Sequence, residues 1–161
     1  MAERPVVNAS PLILLAGADL LDLLRLAGNE VIVPSVVADE IKRRGASDVT
    51  ARALERASWL LIRKAPAVPP IIQAWGLGRG ESSVLAWAHA NPGAEAIIDD
   101  LAGRRCAAAM GIPVRGTLGL VLVAKQRGEI ASARSVLEQL RQSGMYLSDR
   151  VLNQALTLVG E

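Results

Sequence analysis

Short apolar runs alternate with longer stretches of helical periodicity along the chain. Three runs, at residues 6–7, 31–33 and 96–98, are rich in valine and isoleucine and have the length of buried strands. Residues 59–62 are a weaker candidate for a minor strand, and residues 112–114 also resemble a strand. Because strands that alternate with helices form βαβ units, this order predicts an α/β domain with a parallel sheet.

The helical segments have recognisable start and stop residues. Ser10 and Pro11 predict a helix start, with Ser10 as the N-cap and Pro11 at the first helical position. Gly17 and Asp19 are expected to break this region, which ends at Gly28. Further helices are expected at residues 34–45, 46–57, 80–90 and 101–110, with a proline-rich loop at residues 65–70. These helices are long enough to connect parallel strands.

The last part of the chain, residues 117–161, has a helical pattern throughout, with breaks near Gly128 and Gly144. Val136, Leu137 and Leu140 recur at helical spacing and form an apolar stripe that must be buried against another element. We therefore expect one domain over residues 1–161, with residues 117–161 as a helical extension packed on it.

Composition limits the classes of protein to consider. The chain has 161 residues, of which 51% are hydrophobic, enough for one domain with a buried core. No apolar run approaches the roughly 18 residues that span a bilayer, and the N-terminal residues do not resemble a signal peptide. Cys106 is the only cysteine, so no intrachain disulfide can form. These features favour a cytoplasmic protein without a membrane segment.

Charge and aromatic content bear on the partner. The net charge of +2 permits nucleic acid as a partner without requiring it. Aromatic residues make up only 2% of the chain, which disfavours an aromatic platform for stacking bases.

Polar side chains follow two of the predicted strands. Asn8 follows residues 6–7, and Asp99 and Asp100 follow the run that begins at residue 96. In open α/β sheets, ligands bind beyond the carboxyl ends of the strands. The alternative for Asn8 is a helix cap, a role that Ser10 fills better. The alternative for the two aspartates is also capping, although two in succession exceed what one helix needs.

Two glutamates lie near the buried faces of their predicted helices. Glu40 lies beside the inward residue Ile41, and Glu81 precedes Val84 and Leu85 by three and four positions. Glu81 could equally be a favourable negative charge at the start of a helix. If Glu40, Glu81 and Asp100 converge, their mutual repulsion calls for a cation, and all-oxygen ligation suits Mg²⁺ or Mn²⁺.

Five segments, in order, resemble the PIN-domain family, in particular a subgroup related to VapC-type ribonucleases. The segments are Asn8 to Ile13 (NASPLI); Pro34, Val37, Glu40 and Ile41 in a P-x-x-V-x-x-E-I pattern; Gly80-Glu81; Asp99-Asp100 with Gly103-Arg104; and Gly116 to Gly119 (GTLG) followed by Ala124-Lys125. The resemblance runs from about residue 6 to the C-terminus. It implies a three-layer α/β/α fold with a mainly parallel sheet.

The resemblance also implies Mg²⁺- or Mn²⁺-dependent ribonuclease chemistry, as in the toxins of toxin–antitoxin pairs. The acidic quartet of such proteins falls at Asn8, Glu40, Glu81 and Asp100, with Asp99 as the alternative fourth member. Ser10 matches a hydroxyl position that supports the site. RNA, a small antitoxin protein and a second copy of the chain are then the candidate partners. Asn8 departs from the acidic pattern, because an amide oxygen can bind a metal but lacks the charge.

Several further residues have competing interpretations. Arg104, Arg105, Arg115 and Lys125 could contact RNA phosphates or could form an ordinary solvated basic face. Residues 76–80 contain three alternating glycines, but their spacing is not that of a nucleotide-binding loop. His89 is expected on a helix surface, and Cys106 in the core. The function alternatives are thus a metal-dependent ribonuclease, a non-catalytic PIN-like module that binds RNA or protein, and a nucleotide-binding protein.

Overall fold

A sheet of five parallel strands forms the centre of the molecule, which a computed structural model describes over residues 3–161. The strands are β1 (Val6–Val7), β2 (Val31–Pro34), β3 (Leu60–Arg63), β4 (Ala96–Ile97) and β5 (Val114–Arg115), in the spatial order β3-β2-β1-β4-β5. Val6 pairs with Ile32 on one side and with Ala96 on the other. β1 is therefore the central strand.

Helices flank the sheet and give the three-layer α/β/α fold that the sequence predicts. They are α1 (Ala9–Gly17), a 3-10 helix (Leu21–Leu26), α2 (Ser35–Lys42), α3 (Val49–Arg56), α4 (Pro70–Gln73), α5 (Arg79–Ala90), α6 (Leu101–Ala109), α7 (Thr117–Gln126), α8 (Ala133–Gln142) and α9 (Asp149–Leu158). Asp19, with a φ of 58°, separates α1 from the 3-10 helix, as expected from its position.

The strands β1, β2 and β4 are buried along their whole length, as the continuous apolar runs of a parallel sheet require. These strands belong to one hydrophobic cluster, which forms the core of the domain. The cluster also includes Leu12, Ile41, Leu85 and Leu120, which lie on four different helices. Cys106 is also part of this core, and burial raises the pKa of its thiol. The carboxyl ends of β1 and β4 are therefore held in fixed positions by a buried core.

The structure corrects several local predictions. Ser10 is not the N-cap of the first helix, because α1 begins at Ala9 and Asn8 occupies the capping position. The weak strand candidate at residues 59–62 is a true edge strand, β3, paired with β2 over four residues. β5 begins at Val114, later than predicted, since Pro113 has no amide hydrogen to donate to the sheet. The loop at residues 65–70 leads into the short helix α4.

The three C-terminal helices share the core of the sheet. Leu137, Leu140, Leu152 and Leu156 are buried in the same hydrophobic cluster as the strands. Gln139 also donates a hydrogen bond of 2.6 Å to the carbonyl oxygen of Ala18, near the end of α1. Residues 3–161 contain no helix that combines the length and the apolar character needed to cross a membrane.

Candidate active site

The carboxyl edge of the sheet contains a topological switch point beside β1. From β1 the chain adds β2 and β3 on one side, and later adds β4 and β5 on the other. In such sheets a crevice opens between the two halves, beyond the strand ends. Asn8 follows β1 directly, and Asp99 and Asp100 lie just beyond β4. The strand-end residues of the sequence therefore lie at the ends of the two neighbouring strands, β1 and β4, that flank this point.

Asn8 has a buried side chain without a hydrogen-bond partner. Its backbone amide donates to the carbonyl oxygen of Ile97 at 3.0 Å, which fixes the residue against β4. It occupies the N-cap position of α1, but its side chain forms no capping hydrogen bond. The residue is only 3% exposed, and Oδ1 has no partner within residues 3–161. Leaving such an atom unpaired costs about 1–3 kcal/mol, so a ligand at this point would stabilise it.

Glu40 and Asn8 approach the same glycine. A β-carbon added at Gly80 would lie 3.0 Å from Asn8 Oδ1 and 3.3 Å from Glu40 Oε2. Glu40 is exposed near the end of α2, whereas Gly80 is buried in the first turn of α5. A glycine at this position allows both oxygens to lie close to the helix backbone, where a β-carbon would crowd them. Asn8 and Glu40 thus form one pair of oxygen donors.

Glu81 and Asp100 form a second pair, around another glycine. A β-carbon added at Gly103 would lie 3.7 Å from both Asp100 Oδ2 and Glu81 Cγ. The Glu81 carboxylate points back toward Gly78, where an added β-carbon would lie 2.6 Å from Oε2. Asp100 caps α6, since Oδ2 accepts a hydrogen bond of 2.9 Å from the amide of Gly103. Its other oxygen accepts none within residues 3–161.

The two pairs are joined because Gly80 and Glu81 are consecutive. They do not merge into one cluster: in the described part of the chain, no three acidic, histidine or cysteine side chains are placed to hold a metal ion together. None of Glu40, Glu81 and Asp100 forms an ion pair within residues 3–161. Carboxylate and amide oxygens with an unpaired buried acceptor fit the ligand preference of Mg²⁺ or Mn²⁺.

Asp99 has a different role from its neighbour. Thr117 donates to Asp99 twice, from its amide to Oδ1 and from its hydroxyl to Oδ2, both at 2.7 Å. Asp99 therefore fixes the start of α7, while Asp100 caps α6. The capping alternative therefore holds for Asp100, and a second helix, α7, accounts for Asp99. Both oxygens of Asp99 are engaged, which makes Asp100 the better candidate for a ligand.

A cleft of about 1060 Å³ begins at these carboxylates. Glu81, Asp99 and Asp100 line one part of it, together with Arg104 and Arg115. Side chains of α1, α7 and the connection between α8 and α9 line the rest. The cleft thus extends from the acidic edge of the sheet to the C-terminal helices.

Two of the four predicted RNA-contacting cations lie in this cleft. Arg104 is half-buried, with Nη1 donating to the carbonyl oxygen of Ile98 at 3.5 Å. Arg115 forms an ion pair of 3.3 Å with Glu95. Gly116 allows the close approach of Arg104 and Asp99, since an added β-carbon would collide with both side chains. Both guanidinium groups are therefore held in position beside the carboxylates.

The other two cations lie outside the cleft. Arg105 is exposed on α6 and does not line it. Lys125 Nζ donates to the carbonyl oxygen of Ala131 at 2.7 Å and forms an ion pair of 3.5 Å with Glu161. This ammonium group therefore joins α7 to the following loop and to Glu161. Ser10, the predicted supporting residue, is exposed in the first turn of α1 and lines the cleft.

Sequence reasoning missed the residues that shape the site. Thr117 and Gly116 belong to the GTLG segment, but their contacts with Asp99 join residues 18 and 17 positions apart in the chain. Gly80 belongs to the Gly80-Glu81 motif and to the alternating glycines, but neither pattern indicates that it lies beside Asn8 Oδ1. The glycine directly before Glu81 was the only feature of the sequence that could have indicated this close contact. His89 is exposed near the end of α5, as predicted.

Comparison with protein families identifies a family for the chain. A family model described as a PIN domain matches residues 4–161, which is nearly the whole chain. Comparison with curated proteins and with solved structures gave no match.

Proposed function

The chain belongs to the PIN-domain family, and we propose that it is a metal-dependent ribonuclease with its active site at the carboxyl edge of the sheet. The observation that carries the proposal is the buried, unpartnered Oδ1 of Asn8, which lies beside Gly80 together with the Glu40 carboxylate. An oxygen in this state lacks the partner that a ligand would provide. The nuclease-like character of the family agrees with this position at the topological switch point.

The proposed ligands of Mg²⁺ or Mn²⁺ are the two pairs of oxygen donors at this edge, Asn8 with Glu40 and Glu81 with Asp100. Such an ion supplies Lewis acidity and charge neutralisation for the attack of water on a phosphodiester. Asn8 contributes a neutral oxygen that is fixed by burial, and the carboxylates contribute the charge. Asp99 is a positioning residue, because it orients the start of α7 through Thr117.

Arg104 and Arg115 are the proposed contacts to RNA phosphates. Both line the cleft on the side of the carboxylates, and guanidinium groups match the geometry of phosphate oxygens. Their charge offsets part of the repulsion between the acidic residues and the nucleic acid backbone. Ser10 is placed to donate a hydrogen bond to the substrate or to an ordered water.

The test is cleavage of a fluorescently labelled RNA of mixed sequence in Mn²⁺, in Mg²⁺ and in chelator. Wild type should cleave only with metal. Glu40→Gln should lower the rate at least about a hundredfold, since a lost charged contact of about 3 kcal/mol corresponds to such a factor. Asp39→Asn is the matched control, because Asp39 is an exposed neighbour on α2 and should leave the rate unchanged. Equal rates with metal and with chelator would overturn the proposal.

A non-catalytic PIN-like module is the second candidate, favoured by two observations. Asn8 lacks the charge of an acidic ligand, and residues 3–161 contain no closed group of three acidic side chains. Such a module would bind RNA or a protein partner without hydrolysis. RNA binding that survives Glu40→Gln, without cleavage by wild type in either metal, would support it.

We further propose that the ribonuclease is the toxin of a toxin–antitoxin pair. In this role the protein acts in the cytoplasm, a small antitoxin is its partner, and a homodimer is the candidate assembly. Expression of the protein alone should arrest growth, and Glu40→Gln should abolish the arrest. A neighbouring small reading frame that relieves the arrest would identify the antitoxin. Normal growth on expression of an active nuclease would separate the toxin role from the chemistry.

A further inference from the structure

The cleft at the acidic edge has an apolar wall that metal and phosphate binding do not explain. Leu118 and Leu122 of α7 line it, together with Ile13 of α1 and Met145 and Tyr146 of the connection between α8 and α9. Exposed apolar residues are common singly, but a concave apolar surface beside charged groups is typical of a binding site. This wall therefore lies within reach of whatever binds at the carboxylates.

Tyr146 is 93% exposed, and it is the only tyrosine of the chain. Its segment is nevertheless anchored at both ends. On one side, Met145 donates a backbone hydrogen bond of 2.9 Å to Leu140, and Gly144 adopts a φ of +115°, which terminates α8. On the other side, the hydroxyl of Ser148 caps α9 by accepting from the amide of Val151. An anchored segment thus presents a freely accessible ring at the cleft.

We propose that this part of the cleft binds an unpaired nucleobase of the RNA, with Tyr146 stacking on the base. The inference rests on the proposed function, since the carboxylates fix where the phosphate lies. Arg104 and Arg115 stand at the acidic end of the same cleft, so one nucleotide can place its phosphate near the cations and its base along the apolar wall. A single ring suffices for this contact, despite the low aromatic content of the chain.

Charge decides between a base and an apolar peptide as the occupant. A peptide would gain little from two arginines and three carboxylates at one end of the cleft. A nucleotide uses both parts, because its phosphate needs cations and its base offers a flat apolar face. Bases in a duplex are paired and stacked, so the site selects single-stranded or looped RNA.

The experiment is equilibrium binding of a short fluorescent single-stranded RNA at fixed salt and in Ca²⁺, with a cleavage assay in Mn²⁺ alongside. Tyr146→Ala should weaken binding between about fivefold and about a hundredfold, the range found for base–aromatic stacking. Tyr146→Phe should bind like wild type. Trp75→Ala is the matched control, because Trp75 is 40% exposed and does not line the cleft. An abasic oligonucleotide should bind wild type and Tyr146→Ala equally.

The outcomes separate this inference from the proposed function. Cleavage by wild type with unchanged RNA affinity in Tyr146→Ala overturns the inference alone, and leaves the apolar wall for a protein partner. RNA binding that depends on Tyr146 without any cleavage supports the inference and overturns the nuclease. A Tyr146→Phe variant as weak as Tyr146→Ala also overturns stacking, because the ring is still present. Failure of wild type both to bind and to cleave RNA overturns both proposals.

Discussion

Asp99 accepts two hydrogen bonds of 2.7 Å from Thr117, one from the backbone amide and one from the hydroxyl. Thr117 is fully buried and Asp99 is half-buried at the edge of the cleft, so the pair joins the end of the β4 strand to the first turn of α7. Hydrogen bonds to a charged acceptor contribute about 1.5–3 kcal/mol each. This contact fixes one wall of the cleft and distinguishes Asp99 from Asp100.

The first prediction concerns this pair. Thr117→Val removes the hydroxyl and should lower the free energy of unfolding by about 1.5–3 kcal/mol, whereas Asp99→Ala should cost more because it leaves two buried donors unpaired. The double variant should cost less than the sum of the single variants, since the same contact is lost only once. Urea denaturation of all four proteins measures the coupling. Additive losses would contradict the contact.

The second prediction concerns Gly80. In a helix, alanine in place of glycine ordinarily stabilises by about 1 kcal/mol. At this position the new β-carbon would lie 3.0 Å from Asn8 Oδ1 and 3.3 Å from Glu40 Oε2. Gly80→Ala should therefore weaken Mn²⁺ binding and cleavage, because the new β-carbon crowds two proposed ligand oxygens. The melting temperature should stay close to that of wild type, because the gain in helix propensity offsets this crowding. Calorimetric titration with Mn²⁺ and thermal denaturation give the two readouts.

A large loss of stability in Gly80→Ala without a change in Mn²⁺ affinity would show that the glycine serves packing alone. Asn8→Ala in the same background offers a check, because it removes the atom that the new β-carbon approaches most closely. The double variant should relieve any strain and still bind Mn²⁺ weakly, since the amide ligand is lost.

The third prediction concerns the charge at Asn8. Asn8→Asp adds a carboxylate, which should tighten Mn²⁺ binding by about 1–3 kcal/mol, or roughly tenfold to a hundredfold. In chelator the same variant should melt below wild type, because a further negative charge joins Glu40, Glu81 and Asp100. Thermal-shift titration with Mn²⁺ measures both effects.

Glu40→Gln is the control for this titration and should bind Mn²⁺ more weakly than wild type. In a non-catalytic protein no ion offsets the added repulsion, so Asn8→Asp would be less stable at every Mn²⁺ concentration. If Mn²⁺ stabilises none of the three proteins, the metal site is excluded and the fold remains.

The fourth prediction concerns pH. The backbone amide of Ala133 donates a hydrogen bond of 2.7 Å to the Glu161 carboxylate, and the backbone amide of Arg134 donates a second one. These bonds and the charge of the nearby Lys125 hold the pKa of Glu161 below its usual range. A depressed folded-state pKa means that the unfolded chain binds the proton more readily. The stabilisation is therefore complete above the usual glutamate pKa and is lost as the pH falls through the lower, folded-state value.

Glu161→Gln should accordingly melt below wild type at pH 7, and the difference should shrink as the pH falls through the acid range. Melting temperatures at a series of pH values provide the measurement. Glu129→Gln is a suitable control, because Glu129 is exposed and has no ion pair within residues 3–161. A constant difference between Glu161→Gln and wild type across the pH range would contradict the assigned contacts.

The sequence by itself determined the class of fold and the edge of the sheet at which the candidate site residues lie. Buried parallel strands need apolar residues on both faces, so residues 6–7, 31–33 and 96–98 are recognisable as short continuous runs. The chain residues that follow such runs must emerge at the carboxyl edge, which is why Asn8, Asp99 and Asp100 could be placed there. The helical C-terminal segment was equally readable, since its apolar stripes repeat at helical spacing.

Only the tertiary structure decided which polar groups meet. Hydrogen bonds and close contacts join residues far apart in the chain, such as Asp99 with Thr117 and Gly80 with Asn8. The helical and strand periodicity of the sequence contains no information about such contacts. The sequence named Asp100 as the fourth member of the site but left Asp99 as an alternative, because adjacent carboxylates have the same chemistry until their partners are known. Burial likewise left Asn8 Oδ1 without a partner, and only the fold brought it beside Gly80 and Glu40.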